Sequence, residues 1–121
     1  MRTSSDYRLG SIWLVGFDPS IGTEIRKTRP AVIISGTVFN QRSKITVLPL
    51  TSTKPHHEIL LSVLVPVPPS KENGLDLESF IVAIEPMTFD KRRLIKHLGQ
   101  LDVSIIKQVQ SILTRYLDLA E

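Results

Sequence analysis

The chain has 121 residues, a formal net charge of +3, 41% hydrophobic and 22% charged residues, which suits one buried core and is too short for two. It contains no cysteine, so disulfides, thiolate nucleophiles and cysteine-held metals are excluded, and no apolar run approaches the roughly 20 residues of a membrane-spanning helix. The N-terminus, MRTSSDYRLG, lacks the apolar core of a secretory signal, so a cytoplasmic protein is expected, and the mild positive charge suits a polyanionic partner without requiring one.

Ser11 to Phe17 reads SIWLVGF, a β-rich apolar run that stops at the turn signal Asp18-Pro19. Pro19 to Thr28 is polar and contains Gly22, which predicts a long loop of the kind that borders sites. Ala31 to Ser35 and Ile45 to Leu50 are β-branched runs separated by a polar connection with a turn near Asn40 to Ser43, and they are expected to pair antiparallel. Pro49 cannot donate to a ladder, which places the end of the second run at a sheet edge or bulge just before Thr51.

Further along, Ile59 to Val65 is a strand candidate, and VPVPPSKENG reads as an extended connection. Phe80 to Met87 is another strand candidate, Phe89 to Lys96 a helical or turn segment, and Lys96 to Leu101 a last short strand. Asp102 has the character of a helix N-cap, followed by Val103, Ile106, Val109, Leu113, Tyr116 and Leu117 at helical spacing. Ile105, Ile112 and Leu119 widen that stripe enough for the helix to face a sheet and a second surface. Short strands with turn signals and one terminal helix predict a single domain over residues 1–121, a mainly β, strongly bent antiparallel sheet or barrel carrying the helix.

If the two strand ends at Arg29 and Thr51 lie side by side, a guanidinium and a hydroxyl share one rim, a minimal arrangement for holding and attacking a phosphodiester. Arg29 carries a rigid fork of donors matched to phosphate oxygens and stays charged at any cellular pH; its bland alternative is a surface arginine before a proline. Thr51 can orient a phosphate oxygen or satisfy a neighbouring carbonyl. Glu24 is a candidate proton acceptor, a partner that steers Arg29, or a solvated carboxylate, and Thr23 contacts substrate or forms a turn. Cations cluster at Arg26, Lys27 and Arg29, and again at Lys91, Arg92, Arg93, Lys96 and His97; the two groups either frame a groove for phosphates or are solvated charge runs. Adjacent His56 and His57 would point to opposite faces of a strand, with no third ligand at metal spacing, so no metal site is expected. Tyr7 is the freest aromatic, a base-stacking residue or part of a loose arm. Trp13 reads as core.

The segments GSIWLVGFDPSIGTEIRKTRPAVIIS and ITVLPLTS, with FIVAIEPMTFDKRRL and LGQLD following in order, closely resemble the MazF/PemK toxins of bacterial type II toxin-antitoxin systems. The resemblance implies an SH3-like antiparallel barrel of the CcdB/MazF/PemK type that works as a homodimer. It implies a sequence-selective endoribonuclease that needs no metal or other cofactor, cleaves single-stranded mRNA, leaves a 2′,3′-cyclic phosphate and a 5′-hydroxyl, and so inhibits translation and growth. The family's catalytic pair falls on Arg29 and Thr51, with Glu24 and Thr23 in the loop bordering the RNA groove; Arg26, Lys27, Ser52 and Thr53 are the further RNA-binding expectations. A MazE-like antitoxin with an acidic segment is the implied protein partner. The alternative is a CcdB-like toxin that poisons a protein target such as DNA gyrase without catalysis.

Overall fold

Alternation of apolar residues along the first three runs has a direct structural outcome, because a strand presents successive side chains to opposite faces. A computed structural model of the chain describes residues 7–17, 28–54 and 58–119, with the side chains of residues 59 and 60 left out. Its elements in chain order are β1 (Ser11–Gly16), β2 (Thr28–Ile33), β3 (Lys44–Thr51), α1 (Glu58–Leu61), β4 (Leu64–Val67), β5 (Ser79–Val82), β6 (Met87–Asp90), β7 (Leu94–Gln100) and α2 (Val103–Tyr116). The strands form one antiparallel sheet in the order β4-β5-β3-β2-β1-β7, with β6 also paired to β3. Ile12, Val32, Leu48 and Leu50 belong to one buried cluster, together with Val109, Ile112 and Leu113 of α2. Trp13, Val15, Ala31, Ile33, Ile45 and Val47 belong to a second. Both faces of the central strands are therefore covered, which is why these runs are almost continuously apolar.

The expected antiparallel pairing of the second and third strands is present, with Ala31 opposite Pro49 and Ile33 opposite Val47. Pro49, however, is fully inside the sheet. It lies at a seam where β3 changes neighbours, pairing β6 through Lys44–Val47 and β5 through Leu50 and Thr51. No ladder pair forms on that side at Leu48 or Pro49, so a residue without an N–H is accommodated there.

The seam also accounts for the strand expected over Phe80 to Met87, which is two strands. Glu85 N–H donates to the Val82 carbonyl at 3.3 Å, Pro86 follows, and the chain turns so that β5 and β6 meet different stretches of β3. The strand expected over Ile59 to Val65 is displaced as well. Glu58–Leu61 makes one helical turn, and the strand is Leu64–Val67, with Pro66 exposed on the terminal strand of the sheet order, a place where a missing donor costs little. The turn expected near Asn40 to Ser43 begins earlier, as a 3-10 turn at Phe39–Gln41. Buried Asn40 holds it, donating to the carbonyls of Tyr7 at 2.7 Å and Ser35 at 2.9 Å and accepting from the Ser35 hydroxyl. Within Phe89 to Lys96 only Lys91–Arg93 is a 3-10 turn. Asp90 starts it, accepting from Arg92 N–H at 2.9 Å and from its guanidinium at 3.2 Å, and these bonds hold its carboxyl below the ordinary carboxylate value.

Asp102 precedes α2 in extended conformation, as an N-cap does, but its side chain accepts from the Ser104 hydroxyl instead of a helix N–H. Val109, Ile112 and Leu113 form the buried stripe of α2. Val103, Tyr116 and Leu117 remain 63%, 52% and 51% exposed, so the outer part of the expected stripe is not used within this chain.

The connection between β4 and β5 folds back on β7. Gln100 N–H donates to the Glu72 carbonyl at 2.8 Å, and the approach is so close that a Cβ on Gly99 would sit 2.2 Å from that oxygen and 2.6 Å from the Asn73 carbonyl carbon. Gly74, at φ +70°, faces the Leu98 carbonyl in the same way. Substituting Gly99→Ala therefore pushes backbone against backbone, and the variant is expected to lose about 1–3 kcal/mol, read as a lower midpoint in thermal or urea unfolding.

Candidate active site

The β2–β3 ladder ends with Ala31 opposite Pro49. Beyond it Arg29, near the start of β2, and Thr51, at the end of β3, both line one cavity of about 530 Å³, with Pro30 and Leu50 beside them. Pro30 contributes by restricting the residue before it to extended backbone, which keeps Arg29 in line with β2. Leu14, paired with Pro30 on one side and with Lys96 on the other, continues the row across the sheet. Lys96, Leu14, Pro30 and Leu50 thus line the cavity from four adjacent strands.

Thr51 ends β3 and opens a tight turn. Its Oγ1 accepts from Thr53 N–H at 3.1 Å and donates to the Thr53 carbonyl at 3.2 Å, an arrangement typical of hydroxyl residues at strand ends. The turn brings Ser52 and Thr53 into the cavity lining beside it. The long donor bond to Thr53 is weak enough to be exchanged for an anionic oxygen. Arg29 is exposed and Thr51 half-buried, so a ligand reaches both from solvent. Glu24, Thr23, Arg26 and Lys27, together with His56 and His57, lie outside the described residues.

The second cation group does not act as one unit. Lys91 Nζ stands 4.4 Å from the centre of the Tyr7 ring, Arg92 pairs with Asp90, and Arg93 lies over Phe89 and donates to the Gly16 carbonyl at 3.4 Å. His97 tilts against Trp13 at 5.1 Å. Of that group only Lys96 lines the cavity. It lies between two slips of the β1–β7 ladder: Ile12 pairs with Gly99 but Trp13 with His97, and Leu14 pairs with Lys96 but Val15 with Leu94, leaving Leu98 and Ile95 as extra residues. Nothing in the run KRRLIKHLG announces those slips. Tyr7, read from sequence as the freest aromatic, is half-buried, stacks on Trp13 at 5.2 Å and packs against the core.

The β4–β5 connection closes the cavity with Gly74, Leu75, Asp76 and Leu77, and buried Ser79 follows. Sequence reasoning named Lys96 only as one of a basic run that either frames a groove or is solvated, and it missed Asp76 as a cavity residue. Taken together, the arrangement provides two basic side chains, a hydroxyl at the rim and an apolar floor. Such a site binds a phosphate through the cations while the organic part of the ligand rests on the floor.

A family model described as PemK-like, MazF-like toxin of type II toxin-antitoxin system matches residues 8–117. The chain belongs to that family. Among its PemK/MazF relatives, Endoribonuclease MazF9 of Mycobacterium tuberculosis is 30% identical over 121 residues, covering 93% of this chain and 97% of that protein. Endoribonuclease PemK of Escherichia coli is 42% identical over 53 residues, covering 43% of this chain and 40% of that protein. Crystal structures of Deinococcus radiodurans MazF, alone and as MazE-MazF, superpose with TM-scores of 0.74 and 0.78 at 20% identity, each covering 93% of this chain and 96% of the other. The mainly antiparallel β architecture with a C-terminal helix is thus the MazF fold.

Thr51→Val removes both bonds of the strand-end turn while keeping the shape of the side chain. The expected cost is about 1 kcal/mol in unfolding experiments, with Thr51→Ser close to the parent protein.

Proposed function

We propose that this PemK/MazF-family chain is a metal-independent endoribonuclease that cuts single-stranded mRNA, and that Arg29 and Thr51 carry the chemistry. The observation behind this reading is that Arg29 and Thr51, from the adjacent strands β2 and β3, line one cavity together with a second cation, Lys96. The relatives' names point to the same substrate class.

In the proposed step the RNA 2′-oxygen attacks the adjacent phosphorus, and the bond from phosphorus to the 5′-oxygen breaks. One proton leaves the 2′-hydroxyl and one is delivered to the 5′-oxygen, which yields a 2′,3′-cyclic phosphate and a 5′-hydroxyl. Negative charge gathers on the non-bridging oxygens as phosphorus becomes five-coordinate. A guanidinium that never deprotonates meets that charge with two donors, and it stabilises the transition state more than the ground state. The Thr51 hydroxyl exchanges the Thr53 carbonyl for one of those oxygens. Glu24, in the segment preceding β2, is the proposed proton acceptor or Arg29-steering group, and Thr23, Arg26, Lys27, Ser52 and Thr53 complete the RNA contacts. Lys96 holds a flanking phosphate.

The same reading makes the protein a cytoplasmic homodimer neutralised by a MazE-like antitoxin, whose acidic segment would occupy the cation-lined groove. The exposed Val103, Tyr116 and Leu117 around α2 supply apolar surface suited to such an assembly. Free of the antitoxin, the protein would arrest growth by destroying messages.

Purified protein is expected to fragment a long RNA in the presence of EDTA and leave 5′-hydroxyl ends. Arg29→Ala should lower the rate by at least about a hundredfold with unchanged unfolding behaviour. Full cutting by folded Arg29→Ala would remove the role assigned to this residue. Lys96→Ala is expected to weaken binding of single-stranded RNA across sequences and to reduce the slope of log affinity against log salt by about 0.7, measured by fluorescence anisotropy.

A further inference from the structure

The wall formed by Gly74, Leu75, Asp76 and Leu77 is not accounted for by phosphate chemistry. A carboxylate beside Arg29 and Lys96 repels the anion that those cations attract, so Asp76 weakens phosphate binding unless it contacts some other part of the ligand. Its carboxylate has no ion pair with any described residue, the one such pair being Arg92 with Asp90. Asp76 is exposed, and the neighbouring Leu77 presents a side chain 65% exposed at the same cavity.

This wall is also firmly held. Buried Asn73 accepts from the N–H groups of Ser70 and Leu75 at 3.0 Å each and donates to the Pro68 carbonyl at 2.9 Å. Gly74 and Gly99 allow backbone contact with β7, and the Ser79 hydroxyl donates to the Leu77 carbonyl at 3.1 Å. A carboxylate carried on a backbone held in this way, with an apolar side chain next to it, is placed to read the edge of a flat, donor-bearing group.

We propose, on the basis of the ribonuclease reading above, that this wall is a nucleobase subsite in which Asp76 selects a guanine flanking the scissile phosphate. Single-stranded RNA exposes its Watson–Crick edges to side chains. Guanine presents two adjacent donors there, N1–H and the N2 amino group, which match the two oxygens of a carboxylate. Adenine and cytosine each set a ring acceptor beside their amino donor, and uracil flanks its N3–H with two carbonyls. In those three bases the second carboxylate oxygen meets a lone pair. Leu77 covers part of the ring face, so the base is held by its edge and its face together.

The test sequences the 5′-hydroxyl ends produced from a random-sequence RNA pool by the parent protein, Asp76→Asn and Asp76→Ala, with Arg29→Ala as the blank. Guanine should dominate one fixed position beside the parent's cuts, and that preference should fall about tenfold or more in both variants. A second measurement reads the subsite without cleavage: affinities for a set of short single-stranded RNAs, each with one guanine at a different position, and for the same RNAs with inosine replacing that guanine. Inosine lacks the N2 amino group, so it should bind the parent less tightly than guanine does, and Asp76→Ala should bind the two equally. No guanine preference in the parent, an unchanged preference in both variants, or loss of all cutting by both variants while they remain folded would each overturn the assignment. A parent protein that discriminates guanine from inosine but never cuts would instead defeat the ribonuclease reading and leave the subsite standing.

Discussion

The pairing of β2 with β3 is the constraint on which the rest depends. A shift of one residue in that ladder would exchange the two faces of a strand whose side chains are buried on both sides, moving Ala31 and Ile33 out of the Trp13 cluster and Val32 out of the cluster under α2. Packing on the two faces therefore fixes register more strongly than either face would alone. Arg29 and Thr51 lie just beyond the end of that ladder, so the strands that build the core also carry these two residues to one cavity.

β3 plays an unusual part in this design. It has β2 along one side, while β6 and then β5 share the other. The strand end that carries Thr51 is thus supported by β5, and Phe80 pairs with Thr51 directly. Because β5 follows the Gly74–Leu77 wall in the chain, the hydroxyl end of the cavity and its acidic wall are mechanically linked. The cationic side is built differently, from strand ends (Arg29) and a bulge (Lys96). A substitution in the β4–β5 connection reaches the site through the sheet even if it removes no side chain from the cavity.

Much of this was legible in the sequence. The apolar runs around Trp13, Val32 and Leu48 gave the central strands, and the Arg-Pro and Leu-Thr-Ser ends gave the two residues that converge. What escaped reading has identifiable causes. Pro49 carries the signature of an edge but occupies a seam, because the pattern along one strand does not say how many partners share its far side. Residues 80–90 form two strands because Pro86 interrupts a run that hydrophobicity alone would continue. Lys96 is singled out from its basic neighbours by extra residues, Leu98 and Ile95, in the β1–β7 ladder, and slips of that kind leave no mark on composition. Asp76 looks like any loop carboxylate until the loop is seen folded against β7.

The bond from Gln100 to the Leu9 carbonyl, at 3.1 Å, joins residues 91 positions apart, and β1 finds its last neighbour only when β7 arrives. The row under the cavity is incomplete until that moment, since Lys96 is its final member. During synthesis, Arg29 and Thr51 emerge long before the strand that finishes their surroundings, and such long-range closure is a late event for a growing polypeptide. On the proposed reading, a chain still lacking β7 would lack the cation that completes the phosphate-binding row.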